Sequence, residues 1–221
     1  MKKVVMVAAM SALLSSPAFA QNFIGAAVGS TSGYPDSTNT IVGGLIANGW
    51  TSASDSQKLS ASSLSIYGGQ WLSDKLGWEA GYLDSGSVDG TANASTATQT
   101  FASPYKYSAT SLYGAVLGAM QVSGGKLYAK VGLHSSSAKT EYTSTKSTTA
   151  GVVLATGAGS TTKSTIGFLI GAGYEYELNK SWNLRADVTM LGGVQFADAW
   201  NFANTDTQTL TNISIGANYN F

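Results

Sequence analysis

From Thr211 to Phe221 the chain alternates without a break. Thr211, Ile213, Ile215, Ala217, Tyr219 and Phe221 interleave with Asn212, Ser214, Gly216, Asn218 and Asn220. A period of two is that of a β-strand, whose successive side chains point to opposite faces. The polarity of the two faces is what narrows the fold: one is apolar and aromatic, the other uniformly small and polar. A soluble barrel of the lipocalin kind has an apolar interior and a wet exterior. A membrane barrel inverts this, turning apolar side chains to lipid and polar ones to the lumen.

The same inversion recurs upstream. Leu184, Ala186, Val188 and Met190 alternate with Asn183, Arg185, Asp187 and Thr189. Ile166, Phe168, Ile170, Ala172, Tyr174 and Tyr176 alternate with Gly167, Leu169, Gly171, Gly173, Glu175 and Glu177. Leu127 to His134 and Gly77 to Tyr82 follow the same rule, with Lys130 and Glu79 on the polar face. Tyr67, Gly69 and Trp71 oppose Ile66, Gly68 and Gln70, and from 112 to 121 the two faces are nearly equivalent. Charged residues make up 11% of the chain, against about 25% in ordinary soluble domains. That deficit fits a molecule that meets water over part of its surface. The sequence has no run of about 18 apolar residues of the kind a membrane helix needs.

Eight strands are expected, over 22–32, 62–72, 76–86, 109–121, 126–136, 165–177, 182–193 and 209–221. Their connections alternate in length. Residues 72–76, 122–126 and 178–182 are short turns, whereas 33–61, 87–108, 137–164 and 194–208 are long and rich in Ser, Thr, Asn and Gly. Outer-membrane barrels place short turns in the periplasm and long loops outside. In lipid every backbone amide must be paired, and a closed barrel leaves no edge. The expectation is therefore an all-β, closed, eight-stranded antiparallel up-and-down transmembrane β-barrel. The apolar piece Ile41 to Trp50 would make the strand count odd and put the termini on opposite sides. It is read instead as part of the long first loop, as a hairpin extending above the membrane.

The first twenty residues read as an export leader. Lys2 and Lys3 precede the apolar stretch Val4 to Leu14, and Ala18-Phe19-Ala20 fits the small-x-small cleavage pattern, with Ala18 and Ala20 as the small residues. The mature domain would then be 21–221, which is 221 minus 20, or 201 residues. With no cysteine and one histidine, the chain has no disulfide framework, zinc finger or iron–sulfur ligand set, and no lipoprotein cysteine. No metal or cofactor is expected. Twelve basic against twelve acidic residues argue against nucleic-acid binding, which needs a basic face. The location expected is the outer membrane of a Gram-negative bacterium, as a monomer among outer-membrane lipids and lipopolysaccharide.

Trp71, Trp78, Tyr176, Trp182, Tyr219 and Phe221 fall beside the short turns or the C-terminus. Read on the outward face, they would form a periplasmic aromatic girdle. Glu79, Lys130, Glu175 and Arg185 each lie three or four residues from a short turn, on the third, fifth, sixth and seventh strands. Pointing inward at one height, opposite charges would pair across a lumen just wide enough for side chains to fill.

Three stretches resemble a known family, the transmembrane domain of outer membrane protein A and its small eight-stranded relatives. They are Gly68-Gly69-Gln70-Trp71 through Gly77-Trp78-Glu79-Ala80-Gly81-Tyr82, Gly171-Ala172-Gly173-Tyr174-Glu175-Tyr176 through Asn183-Leu184-Arg185-Ala186-Asp187, and the terminal Tyr219-Asn220-Phe221. The resemblance implies that Tyr219 and Phe221 end an assembly signal read by the outer-membrane insertion machinery. It implies that the lumen charges form a gate in which one cation exchanges between two carboxylates. The second cation of that pattern is expected on the fourth strand, where Val116 stands, and Lys130 could replace it from the neighbouring strand. Both a static plug and an opening gate follow from these residues.

His134-Ser135-Ser136, with Glu141 nearby, is similar to the Ser-His-Glu element of the outer-membrane lipid A deacylases. On the phase assigned above, His134 and Ser136 face the lumen rather than lipid, where such an enzyme meets its substrate, and Ser137 stands where that family has Asn. The expected role is non-enzymatic: structural, or contact with a surface ligand through the long loops, of the adhesin or opacity type. A small gated pore is the alternative, and a lipid A deacylase using Ser136 and His134 the remote one.

Overall fold

In chain order the elements are β1 (Gln21–Ser32), α1 (Thr38–Ala47), β2 (Ser52–Gln57), β3 (Ser60–Trp71), β4 (Leu76–Ser95), β5 (Gln99–Val122), β6 (Gly125–Thr148), β7 (Val153–Glu177), β8 (Trp182–Ala197) and β9 (Thr205–Asn220). The computed structural model describes residues 21–36, 38–198 and 205–221. The expected export leader, with Ala18 and Ala20, lies outside the described residues. All strand pairings are antiparallel. β1 pairs with β3, each strand from β3 to β8 pairs with the next, and β9 returns to β1, so β1 and β3 to β9 close an eight-stranded ring. The inward residues are those the alternation assigns, with one strand reversed and one newly settled. On β5, Ala115 and Leu117 are buried while Val116 is 53% exposed on the outer face. Val116 therefore cannot supply or replace a lumen cation. On β3, Tyr67 and Trp71 point inward and Leu64 and Ile66 outward.

The strands differ greatly in length. β1 and β3 have 12 residues each, whereas β4 to β7 have 20, 24, 24 and 25. About 9–11 residues suffice to cross the hydrocarbon. The stretches 87–108 and 137–164, expected as loops, are in fact continuations of β4 to β7. β7 pairs with β8 only from Phe168 to Glu177, so its first part, Val153 to Gly167, pairs with β6 alone among the described residues. Beyond the ring, β2, β4, β5, β6 and β7 form a five-stranded open sheet. In its β6 and β7 part hydroxyl residues occupy both faces, which blurs the apolar alternation while keeping the β-branched threonines that suit a strand. In β4 and β5, by contrast, one face keeps Val88, Ala92, Ala94, Tyr105 and Tyr107 buried.

The segment expected as a hairpin at Ile41–Trp50 is the helix α1 followed by a turn. Its apolar residues Ile41, Val42, Leu45 and Ile46 stand four apart in two pairs, which is helical spacing. Asn48 donates to the Gly44 carbonyl at 2.8 Å, and Gly49, at φ +89°, ends the helix. β2 then returns along β4. Its Asp55 accepts a 2.7 Å bond from the Tyr105 hydroxyl, and Gln57 donates to the Pro35 carbonyl at 2.6 Å. Burial and the Asp55 carboxylate hold the Tyr105 phenol well above its usual range, so it serves as a donor.

Large lumen side chains stand directly across from glycines on the adjoining strand. Tyr67 pairs with Gly25, Trp71 with Gly77, Tyr113 with Gly81, Tyr128 with Gly173, Lys130 with Gly171 and His134 with Gly167. The small partner gives each ring or chain the space to lie across the narrow interior. A Cβ on Gly173 would stand 2.2 Å from the Tyr128 hydroxyl. Gly173→Ala should therefore destabilise the barrel by about 1–3 kcal/mol, as overpacking does. A Tyr128→Ala background should relieve only part of this cost, because the Ala186 carbonyl would still stand 2.6 Å from that Cβ, and urea unfolding in lipid vesicles would measure the cycle.

Candidate functional site

Four of the barrel strands deliver a charged group into the lumen at one height, and the register sets that height. Arg185 on β8 pairs with Glu175 on β7, and Lys130 on β6 lies opposite Gly171, two inward positions along β7 from Glu175. Glu79 enters from β4, and Asp187 stands one inward position beyond Arg185. All five side chains are buried. Arg185, the sole arginine of the sequence, reaches three carboxylates: Glu79 at 2.5 Å, Asp187 at 2.9 Å and Glu175 at 3.7 Å. Lys130 lies 3.0 Å from Asp187 and 3.6 Å from Glu79.

The carboxylates are held by neutral donors as well. Tyr113 donates to Glu79 at 2.8 Å, Tyr128 to Asp187 at 2.5 Å and Asn218 to Glu175 at 2.9 Å, and Thr189 bonds Asp187. The Arg185 guanidinium lies between two rings, 4.5 Å from the centre of Tyr67 and 4.6 Å from that of Tyr128. A planar guanidinium suits this slot because it can stack on aromatic faces while its edge donates. The four charges expected to converge do so. Asp187, Tyr67, Tyr113 and Tyr128 complete the group beyond the sequence expectation. Asp187 is visible in the sequence on the lumen face beside Arg185, but its place in the cluster follows from Lys130 reaching across.

Apolar layers lie on both sides of the charges. Toward the short turns, Phe23, Tyr67, Trp71, Leu117 and Tyr128 pack together. Trp71 is 4% exposed, with its ring 6.4 Å from that of Phe23 and the Lys126 ammonium 5.0 Å above it. The expected place of Trp71 in the outer girdle is therefore corrected: Gly69 and Gly77 clear the space that admits Phe23 and the indole to the interior. Tyr176, Trp182, Tyr219 and Phe221 are exposed on the outer wall, and Trp78 shares the outward face of Leu76 and Ala80. Trp182 and Tyr219 meet edge to face at 5.2 Å, and Tyr219 stacks on Phe221 at 6.3 Å.

Away from the turns, the charges give way to a hydroxyl and amide layer. Asn212 donates to Thr31 at 2.9 Å and to Ser63 at 2.5 Å. A cavity of about 20 Å³ lies at this boundary, lined in part by Lys130, Arg185, Asp187, Thr189 and Asn212, which is room for roughly one water. Above it Leu191, Val194, Phe196, Leu210, Tyr34 and Tyr107 fill the mouth of the barrel. Tyr34 crosses this layer to donate to the Ser85 carbonyl at 2.7 Å.

His134 and Ser136 do touch, with Ser136 Oγ 2.7 Å from His134 Nδ1. The other ring nitrogen is 2.9 Å from the Gly192 carbonyl and so carries the proton, while Ser111 Oγ lies 2.6 Å from Ser136 Oγ. Both side chains are buried in the lumen. Glu141, at an odd position of β6 and thus on the other face, pairs with Lys139 at 2.6 Å. A backbone carbonyl orients the imidazole where a hydrolase would use a carboxylate.

A family model described as an outer membrane protein beta-barrel domain matches residues 6–221. No curated protein matches the sequence. Among solved structures, Neisserial surface protein A superposes with a TM-score of 0.50 at 15% identity, covering 91% of this chain and 99% of that one. Ail, the attachment invasion locus protein of Yersinia pestis, gives 0.48 at 12% identity, covering 92% and 99%. The N-terminal β-barrel domain of Pseudomonas aeruginosa OprF gives 0.45 at 11%, covering 91% and 99%. At such identities the likeness to Neisserial surface protein A is one of fold.

Proposed function

Since this chain belongs to the outer membrane protein beta-barrel domain family and is a protein of the Gram-negative outer membrane, we propose that it acts at the cell surface through its protruding sheet, with a filled, non-conducting lumen. The observation that carries this reading is the contrast between the two parts of the molecule. The lumen is occupied at every level by side chains that bond or pack against one another, whereas β4 to β7 run far past the length a membrane requires. An ion entering the lumen would have to break pairs at the Arg185 level and also displace the apolar layer around Phe196. Such pairs in a low-dielectric interior resist the loss of one partner.

The charge cluster is a static plug in this reading. Arg185 bridges three carboxylates at once, so any move away from one of them gives up a pair it already makes. The role is non-enzymatic: the His134–Ser136 pair is enclosed in the lumen and belongs to its hydrogen-bond network. Tyr219 and Phe221 end the outward face of the last strand, in reach of the assembly machinery. The partners in this reading are outer-membrane lipids and lipopolysaccharide around the barrel wall, and a surface ligand at the sheet. The protein acts as a monomer.

Cells displaying the chain test the surface role. A variant with residues 90–105 and 142–160 replaced by short turns removes the sheet and leaves the barrel strands. Attachment to host-cell or abiotic surfaces should fall while the outer-membrane level of the protein is kept. Equal attachment by both forms would contradict the proposal.

A further inference from the structure

The outermost described hairpin, between β6 and β7, carries Val152, Val153 and Leu154 at its end, and these side chains are 61%, 57% and 49% exposed. The neighbouring hairpin between β4 and β5 ends instead in the smaller residues Thr96-Ala97-Thr98. The two ends meet, Thr149 N–H donating to the Thr98 carbonyl at 3.0 Å, so the apolar tip is braced rather than loose. Behind it, the Phe101–Lys146 and Lys146–Ala155 register pairs mark a level three residues below Val152 on the β7 side. At that level the Trp50 and Phe101 rings stand 5.7 Å apart and the Lys146 ammonium lies 5.7 Å from the Trp50 ring. Residues 90–105 and 142–162 contain one charged side chain, Lys146, and no acid. The nearby Asp55 is bonded by Tyr105.

We propose that this tip inserts into the surface of an apposed phospholipid bilayer. The order of groups along the sheet is that of a membrane interface: aliphatic residues foremost, then aromatic rings, then a lysine whose stem can reach the headgroups. The spacing suits a shallow insertion of about 5–10 Å. The tip is convex and three residues wide, far short of the roughly 800 Å² per partner that a stable protein interface buries. Lipid closes around a convex tip without a preformed complementary surface. The molecule's own bilayer is out of reach, since the thirteen residues from Val153 to Thr165 place the tip roughly 30–40 Å along the strand from the barrel wall. The inference deepens the surface-contact reading and rests on it.

The chain has no cysteine, so single cysteines can be labelled without ambiguity. Val153→Cys and Ala97→Cys would each carry an NBD fluorophore, with the protein held in nanodiscs and challenged with phosphatidylcholine vesicles with and without phosphatidylglycerol. The label at position 153 should brighten several-fold, shift to the blue and be quenched by brominated acyl chains. The label at 97 should respond much less, and adding Leu154→Asp should abolish the signal at 153. A flat signal at 153, equal signals at both positions, or brightening without acyl-chain quenching would each overturn the proposal. Loss of attachment in the sheet-less variant together with a silent label at 153 would leave the surface role standing and remove lipid as its partner.

Discussion

Arg185→Leu is expected to lower the unfolding free energy by about 3–5 kcal/mol, the usual cost of removing one partner from a buried ion network. The change leaves Lys130 within 4 Å of Glu79 and Asp187, and leaves Glu175 with no cation within 4 Å among the described residues. The loss follows from unpaired buried carboxylates rather than from the attraction of the native pairs. Glu79→Gln added to Arg185→Leu should therefore restore part of the stability, giving a cycle far from additive. Arg185→Lys should fall between the wild type and Arg185→Leu. An ammonium keeps the charge but cannot lie flat between Tyr67 and Tyr128 while donating to Glu79 and Asp187 together. Urea titration of vesicle-folded protein, followed by the heat-modified gel shift typical of barrels, reads every variant.

Val188→Arg should cost about 2–4 kcal/mol, because Val188 stands on the lipid face six residues from Trp182, near mid-membrane. Leu184→Arg, on the same face but two residues from Trp182, should cost about 0–1 kcal/mol, since a long side chain there reaches the interface. The difference between the two is the informative quantity. Equal costs would mean that the strand phase or the level of the membrane is wrong.

Much of the barrel is legible in the sequence because a closed sheet in lipid obeys a strict code. Period two gives the strands, inverted polarity gives the solvent, and unequal connections give the sidedness. The code fails where its assumptions do. Trp71 reads as outward because aromatic residues near a turn usually sit at the interface, and a single strand cannot show that Gly69 and Gly77 have cleared a lumen slot for it. The faces of β5 cannot be told apart because Leu117 and Val116 are equally apolar, and the partners Tyr113 and Glu79 that break the tie come from different strands. The sheet beyond the membrane is hidden for a different reason. In β6 and β7 hydroxyls stand on both faces, as where Thr140 pairs with Thr161. In β4 the alternation of Val88, Ala92 and Ala94 with Asp89, Thr91 and Asn93 is present but carried by small residues within a loop-like composition.

The helix α1 is the opposite case, since its signal is present. Ile41 with Leu45 and Val42 with Ile46 keep helical spacing, and Asn48-Gly49 is a helix end. β-branched residues and a pair of glycines favour an extended reading instead. Within the lumen, the four convergent charges are recoverable from their distance to the short turns. The aromatic frame is legible only in part: Tyr128 alternates onto the lumen face with Lys130, whereas Tyr67 reads outward and Tyr113 lies where the two faces are equivalent. The glycines that face these rings are known only after the sheet is registered.

Planar-bilayer conductance of the refolded barrel, residues 21–221, tests the filled lumen most directly, with Glu79→Ala and Arg185→Ala alongside. Silence is expected from the unmodified protein. Both variants should be silent too, because the apolar layer around Val194, Phe196 and Leu210 closes the mouth independently of the charges. Steady channels from the unmodified chain, altered in either variant, would contradict a filled lumen and make the Arg185 level a gate.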